Sequence, residues 1–197
     1  MKKNKKIILI SFFVIVLIGV AKYVYDININ HNFETITDGK VYKSGVIPPD
    51  EIADYVKKYN IKSIVDLRMP GTNDLVNNPE KTNDLTAEVD AVKKIPNTNY
   101  FNVGSDQVPE QKNLAAFFKI MDNKANYPVL IHCYHGFGRA EMYSALYRVE
   151  YENFTNEAAR MGTRFIVKYS SFDDGSPKGE YLKKYKSRKE LAKEKSK

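Results

Sequence analysis

The sequence holds one cysteine, Cys133, and three histidines, His31, His132 and His135. A single thiol cannot close an internal disulfide, and with three scattered histidines it gives no donor set for a structural zinc site. Cys133 is therefore either buried and inert or a thiol kept for chemistry. No internal repeat is present, which argues against a solenoid or propeller. At 197 residues the chain suits one well-buried domain with appendages and is short for two.

Positive charge is missing where a nucleic-acid binder would need it. The formal charge is +7, but the first 22 residues carry five lysines and no acid, and residues 178–197 carry nine basic against three acidic side chains. The body between them, 23–177, has 17 basic and 21 acidic residues, a poor footprint for a polyanion. No nucleic-acid partner is expected. The Lys-rich end reads as a solvated, partly helical tail.

Lys2, Lys3, Lys5 and Lys6 precede an apolar run from Ile7 to Ala21 that continues past Lys22 into Tyr23-Val24-Tyr25. Spanning a hydrocarbon core takes about 20 residues; a snorkelling Lys22 and interfacial tyrosines complete the segment. Gly19 and Ala21 also supply the small residues of a signal-peptide cleavage site, so secretion after cleavage is the alternative. The tyrosine-rich flank favours an uncleaved anchor. The lysine excess before the run keeps the N-terminus in the cytoplasm and sends the domain out of it. The expected layout is a membrane segment over 1–25, a neck over 26–32, a folded domain over 33–177 and the basic tail over 178–197.

Within the domain, strand and helix signals alternate. Lys40 to Ser44 reads as an edge strand. Pro48-Pro49-Asp50-Glu51 opens a helix with Ile52, Tyr55, Val56 and Tyr59 on one face, ended by Asn60. Ile61 to Leu67 reads as a buried strand, Asn83 to Lys94 as a helix on Leu85, Val89 and Val92, and Tyr100 to Val103 as a short strand. A helix from Pro109 carries Leu114, Phe117, Phe118 and Met121. Val129 to His132 is the best central strand. A helix follows Arg139, and another starts at Thr155 as N-cap. This alternation predicts an α/β fold with a mostly parallel central sheet flanked by helices. Arg68, the Gly104 to Pro109 loop and Cys133 all fall at strand carboxyl ends, where ligands bind in such sheets.

The stretch Cys133-Tyr-His-Gly-Phe-Gly-Arg139 lies between that strand and a helix. Gly136 and Gly138 let successive N–H groups converge, and the helix N-terminus adds its own unpaired N–H groups and dipole. Arg139 offers a planar fork for two phosphate oxygens. The field that holds a phosphate also favours the anionic form of the sulfur. Such a loop can hold an anion and attack it.

This Cys, five residues and Arg, preceded by His132, resembles the signature of the cysteine-dependent protein tyrosine phosphatases. The compact domain and the late position of the loop are most similar to the dual-specificity branch, especially its small bacterial members; the likeness covers roughly residues 33–165, with only the loop specific. Low-molecular-weight phosphatases and arsenate reductases carry the loop near the N-terminus, and rhodanese-like sulfur-transfer loops typically place four residues between Cys and Arg. The resemblance implies a metal-independent hydrolase without cofactor; the oligomeric state is left open, with a monomer favoured. Cys133 would be the nucleophile, the loop positions Tyr134, His135, Gly136, Phe137 and Gly138 would contact substrate, and Arg139 would bind phosphate.

Asp106, in Asp-x-x-Pro, resembles the family's general acid; its other reading is a cap for the helix at Pro109. Asp66, inside a strand, and Asp84, in a helix's first turn, are weaker acids for the role. His132 is expected to order the loop through backbone hydrogen bonds. Arg68 either lines the pocket or pairs with an acid, and His135 either touches substrate or faces solvent. Two positions depart from the pattern. Ala140 stands where relatives carry Ser or Thr, which implies slow turnover and leaves a weakly active phosphate-binding module as one alternative. Tyr134, His135 and Phe137 replace the lysines of phosphoinositide-directed relatives. That favours a phosphotyrosine, a phosphoprotein or a small phosphomonoester, with lipid or sugar phosphates as alternatives.

Overall fold

A computed structural model describes residues 2–163 and 170–196, so positions 164–169 of the expected domain lie outside the described residues. Among the described residues five strands form one sheet: β1 (Glu34–Thr37), β2 (Val41–Ser44), β3 (Ser63–Asp66), β4 (Asn99–Asn102) and β5 (Val129–His132), in the order β1-β2-β5-β3-β4. β2, β5, β3 and β4 pair in parallel, and β1 joins antiparallel to β2.

The alternation along β5 decides what each face receives. Val129 and Ile131 point into a core shared with α4 (Gln111–Asp122) and α5 (Arg139–Tyr151), together with Leu114, Phe117, Met121, Tyr143 and Leu146. Leu130 points the other way, to Ile52 and Val56 of α2 (Ile52–Tyr59) and Val92 of α3 (Thr82–Val92). The result is a helix-covered parallel sheet in three layers, as the alternation of elements predicts.

Two expectations change. Lys40 to Ser44 is not an edge: β1 covers it, and all four residues of β2 are buried. Lys43, the charged residue within it, is fully buried, its Nζ 2.7 Å from Glu141 and 3.1 Å from Glu34. The basic tail is helical, as α7 (Pro177–Lys184) and α8 (Arg188–Lys195), but α7 docks rather than dangling. Leu182 is fully buried in the α4–α5 core, which stabilises the docked helix by about 1.5–3 kcal/mol.

Helix α1 (Lys2–Asn28) continues through the first part of the expected neck. Its Lys5–Asn28 stretch is long and apolar enough to cross a membrane, with a mean hydropathy of 2.7 and none of it buried. The remainder of the neck is fastened to the domain. Gly45 N–H donates to His31 O at 2.7 Å, and the His31 ring stands 2.9 Å from Glu51.

Candidate active site

The loop from Cys133 to Gly138 joins the carboxyl end of β5 to the start of α5. Its shape is imposed from outside, because three successive carbonyls are held by surrounding groups. Tyr134 O accepts from Val46 N at 3.0 Å, His135 O from Asn32 Nδ2 at 2.8 Å, and Gly136 O from Lys43 Nζ at 3.4 Å. In a planar trans peptide the next residue's N–H points opposite the carbonyl. The N–H groups of His135, Gly136 and Phe137 are thereby turned inward, and that of Gly136 donates to Cys133 Sγ at 3.3 Å. No side chain caps α5, so its first N–H groups also remain free toward the loop.

The two glycines serve different ends. Gly136 has φ +79°, and a Cβ there would stand 2.6 Å from Gly45 N and 2.8 Å from Ser44 C. Gly138 needs no left-handed backbone; a Cβ there would meet Gln107 Oε1 at 2.6 Å. Glycine at 138 therefore leaves room for the Gln107 loop to close over the pocket.

Arg139 is almost fully buried and its guanidinium is fixed. Nη1 donates to Glu80 Oε1 at 2.7 Å and to Leu67 O at 3.0 Å; Nη2 donates to Glu80 Oε2 and Asn77 O, each at 3.2 Å. Burial alone would raise the pKa of Glu80, but its bonds from Arg139 and Met69 N outweigh that and leave it lowered. Cys133, Arg139, His135, Phe137 and Gly138 share one cavity of about 250 Å³ with Asn77, Gln107, Ser171 and Lys178. Burial, then Arg139, pushes the pKa of His135 down, which leaves its ring neutral at neutral pH. Phe137 is exposed where it lines this cavity, and Tyr134, also exposed, lines a neighbouring pocket with His31 and Val46.

His132 does not make the backbone hydrogen bonds expected of it. Its Nε2 faces Glu88 Oε1 at 3.0 Å and Asp66 Oδ1 at 3.7 Å rather than backbone, because the strand alternation aims it at α3. Burial opposes its charge, but Glu88 and Asp66 outweigh that and raise its pKa. Arg68 resolves to the ion-pair alternative: it is fully buried, bonded to Asp66 at 2.8–3.0 Å and to Glu88. Asp66, Glu88 and His132 are spaced closely enough to hold a metal ion, yet the Arg68 guanidinium already takes both carboxylates.

Asp106 lies on the loop after β4, exposed, one residue before the pocket-lining Gln107. It does not cap α4; Glu110 does, in a reciprocal arrangement with Asn113. Asp84 caps α3 by accepting from Lys81 N, and Asp66 ends β3. Ala140 is fully buried at the start of α5. Glu80 and Lys178 escape a reading of sequence: one lies in an irregular segment and the other in a run of lysines.

Over residues 17–175 the sequence matches the family described as DSP-PTPase phosphatase fused to NAD+ kinase. The chain belongs to this phosphatase family. No curated protein matches it. Among solved structures, the catalytic core of the PP-IP phosphatase SIW14 from S. cerevisiae superposes with a TM-score of 0.61 at 18% identity, covering 84% of this chain and 91% of that one. PTPMT1 gives 0.57 at 16% identity, covering 84% and 99%. P. aeruginosa TpbA gives 0.55 at 15%, covering 80% and 86%, and a TpbA variant has been solved with phosphotyrosine. At these identities the likenesses establish the phosphatase fold.

Proposed function

We propose that the protein hydrolyses phosphomonoesters through a cysteinyl-phosphate intermediate, with phosphotyrosine on proteins as the preferred substrate. The observation that carries this reading is the turning of the loop: three carbonyls bonded outward, with their following amides and Cys133 Sγ converging beside Arg139. The sulfur anion attacks phosphorus, an S–P bond forms, and the ester P–O bond breaks. Inward amides hold the non-transferring oxygens and strengthen as charge shifts onto them, while Arg139 adds its charge and Nε, the one guanidinium nitrogen with no protein acceptor among the described residues. Asp106 supplies the proton to the leaving oxygen. Water then attacks phosphorus, the S–P bond breaks to regenerate the thiolate, and Asp106 takes the water's proton as phosphate departs. The chemistry runs on protein groups alone.

The exposed Phe137 ring on this cavity supports an aryl phosphate, and TpbA's complex with phosphotyrosine agrees in class. Helix α1 supports tethering to a membrane with the domain on the exported side, or secretion if the helix is cleaved.

The test is phosphate release by the full chain in detergent micelles, with chelator present. Phosphotyrosine peptide is expected to turn over in wild type and not in Cys133→Ser. Asp106→Asn is expected to slow an alkyl phosphate more than p-nitrophenyl phosphate, whose leaving group needs no proton. Activity that chelation abolishes would exclude the mechanism, and equal slowing of both esters would remove Asp106 from the acid role. Ala140 favours one second reading, a phosphate-binding module; that reading requires Cys133-independent binding with no release.

A further inference from the structure

Among the described residues, one cation of the catalytic pocket has no carboxylate partner. Arg139 is matched by Glu80, whose two oxygens it holds. Behind the loop, Arg68 and His132 are matched by Asp66 and Glu88. Lys178, in the first turn of α7, is 8% exposed and lines the pocket with Cys133 and Arg139. Its ammonium lies 4.9 Å from the centre of the Phe172 ring and donates to the neutral Gln107 Oε1 at 3.0 Å. Among the described residues no carboxylate pairs with it.

A buried ammonium whose hydrogen-bond partner is an amide is costly, and a place near a helix N-terminus adds to the cost through the dipole. The docking of α7 does not need that charge, since Leu182 supplies the contact with the core. The other groups facing Lys178 sharpen the point: Arg139 repels it, the His135 ring is neutral at neutral pH, and Gln107, Ser171, Asn77 and Phe172 carry no charge. Beyond the Gln107 oxygen and the Phe172 ring, the Cys133 sulfur attracts it. The cost is offset when an anion occupies the cavity.

We propose that Lys178 is a ligand of the phosphoryl group, supplying to the dianionic ester a positive charge that no carboxylate among the described residues neutralises. This rests on reading the cavity as the phosphatase site. The Cys-to-Arg loop contains no lysine, so α7 provides from the C-terminal end of the chain a cation that the loop lacks. Burial, together with Arg139, also lowers the pKa of the ammonium, and a bound dianion should restore it.

The test compares wild-type, Lys178→Met and Lys178→Arg full-length protein in micelles, with p-nitrophenyl phosphate as substrate and inorganic phosphate as competitive inhibitor. Losing one charged contact should raise both KM and the phosphate inhibition constant in Lys178→Met by about tenfold or more, with Lys178→Arg recovering most of it. Unchanged phosphate inhibition in a Lys178→Met protein that melts like wild type would overturn the proposal. Should that variant fail to fold, the wild-type ammonium can be titrated by NMR with and without saturating phosphate. An upward move of its midpoint supports contact, and an unmoved midpoint refutes it. The two readings fail separately. Turnover that depends on Cys133 with Lys178-independent inhibition sinks this inference alone. Lys178-dependent phosphate binding without turnover supports it and sinks the catalytic reading.

Discussion

Replacing Glu80 with Gln tests whether Arg139 is aimed by a buried carboxylate. Glu80 accepts three hydrogen bonds, two from the guanidinium at 2.7 and 3.2 Å and one from Met69 N at 2.8 Å. The amide keeps one acceptor oxygen, which can serve Met69 N and Arg139 Nη1. Its NH₂ then faces Nη2, donor against donor, and the guanidinium loses its counter-charge. Breaking a buried ion pair costs about 3–5 kcal/mol when nothing replaces it. With two of the three hydrogen bonds kept, a loss of about 2–4 kcal/mol follows. The sign with pH is fixed by the lowered pKa of Glu80. Its stabilisation is complete above the unfolded value of about 4.3 and is lost as pH falls through the lower native value. Urea unfolding followed by circular dichroism at about pH 7 and about pH 3 should therefore show a wide gap between wild type and Glu80→Gln that narrows in acid. At neutral pH kcat/KM should fall at least tenfold, because the guanidinium is no longer held with its free Nε toward the pocket. A gap of equal size at both pH values, or unaltered kinetics, would show that Glu80 does not hold Arg139 in this way.

The two loop glycines should respond unequally. Gly136→Ala meets backbone at 2.6 and 2.8 Å and carries the left-handed cost, so about 2–4 kcal/mol of stability and most activity should be lost. Gly138→Ala meets the end of the Gln107 side chain, which can swing away, and thermal melting should register less than about 1 kcal/mol. Similar losses in both would contradict this reading. Lys43→Met strips the buried Glu141 of its cation and frees Gly136 O, and should cost about 3 kcal/mol. Adding Glu141→Gln should recover part of it in denaturant titrations, since burial already pushes the pKa of Glu141 up; no recovery would mean that the charge pair is not what matters.

What sequence revealed follows the range of the interactions involved. β5 and the helices α2, α3, α4 and α5 were legible because apolar period and local breakers are properties of neighbouring residues. The loop was legible because cysteine, glycines and arginine lie within seven positions. The buried charges were not. Lys43 meets Glu141 across 98 positions, and Arg139 meets Glu80 across 59, so each partner looks like a solvated charge in its own segment. Glu88 interrupts the apolar stripe of α3, yet it is 2% exposed because strand alternation delivers His132 and Asp66 to the same face.

The same buried charges explain how so short a motif keeps its form. Amides that converge on one centre crowd partial positive charge together and leave every carbonyl pointing away from the ligand. Left in an apolar surround, those outward oxygens would each cost a lost hydrogen bond. Here they are taken up by Val46 N, Asn32 Nδ2 and Lys43 Nζ, groups supplied by the segment after the N-terminal helix and by β2 and its exit. Lys43 can be buried at that spot only because Glu34 and Glu141 flank it. The anion-binding face of the loop is thus determined by what is bound on its back, and a substitution there should alter phosphate affinity without touching a residue that contacts phosphate.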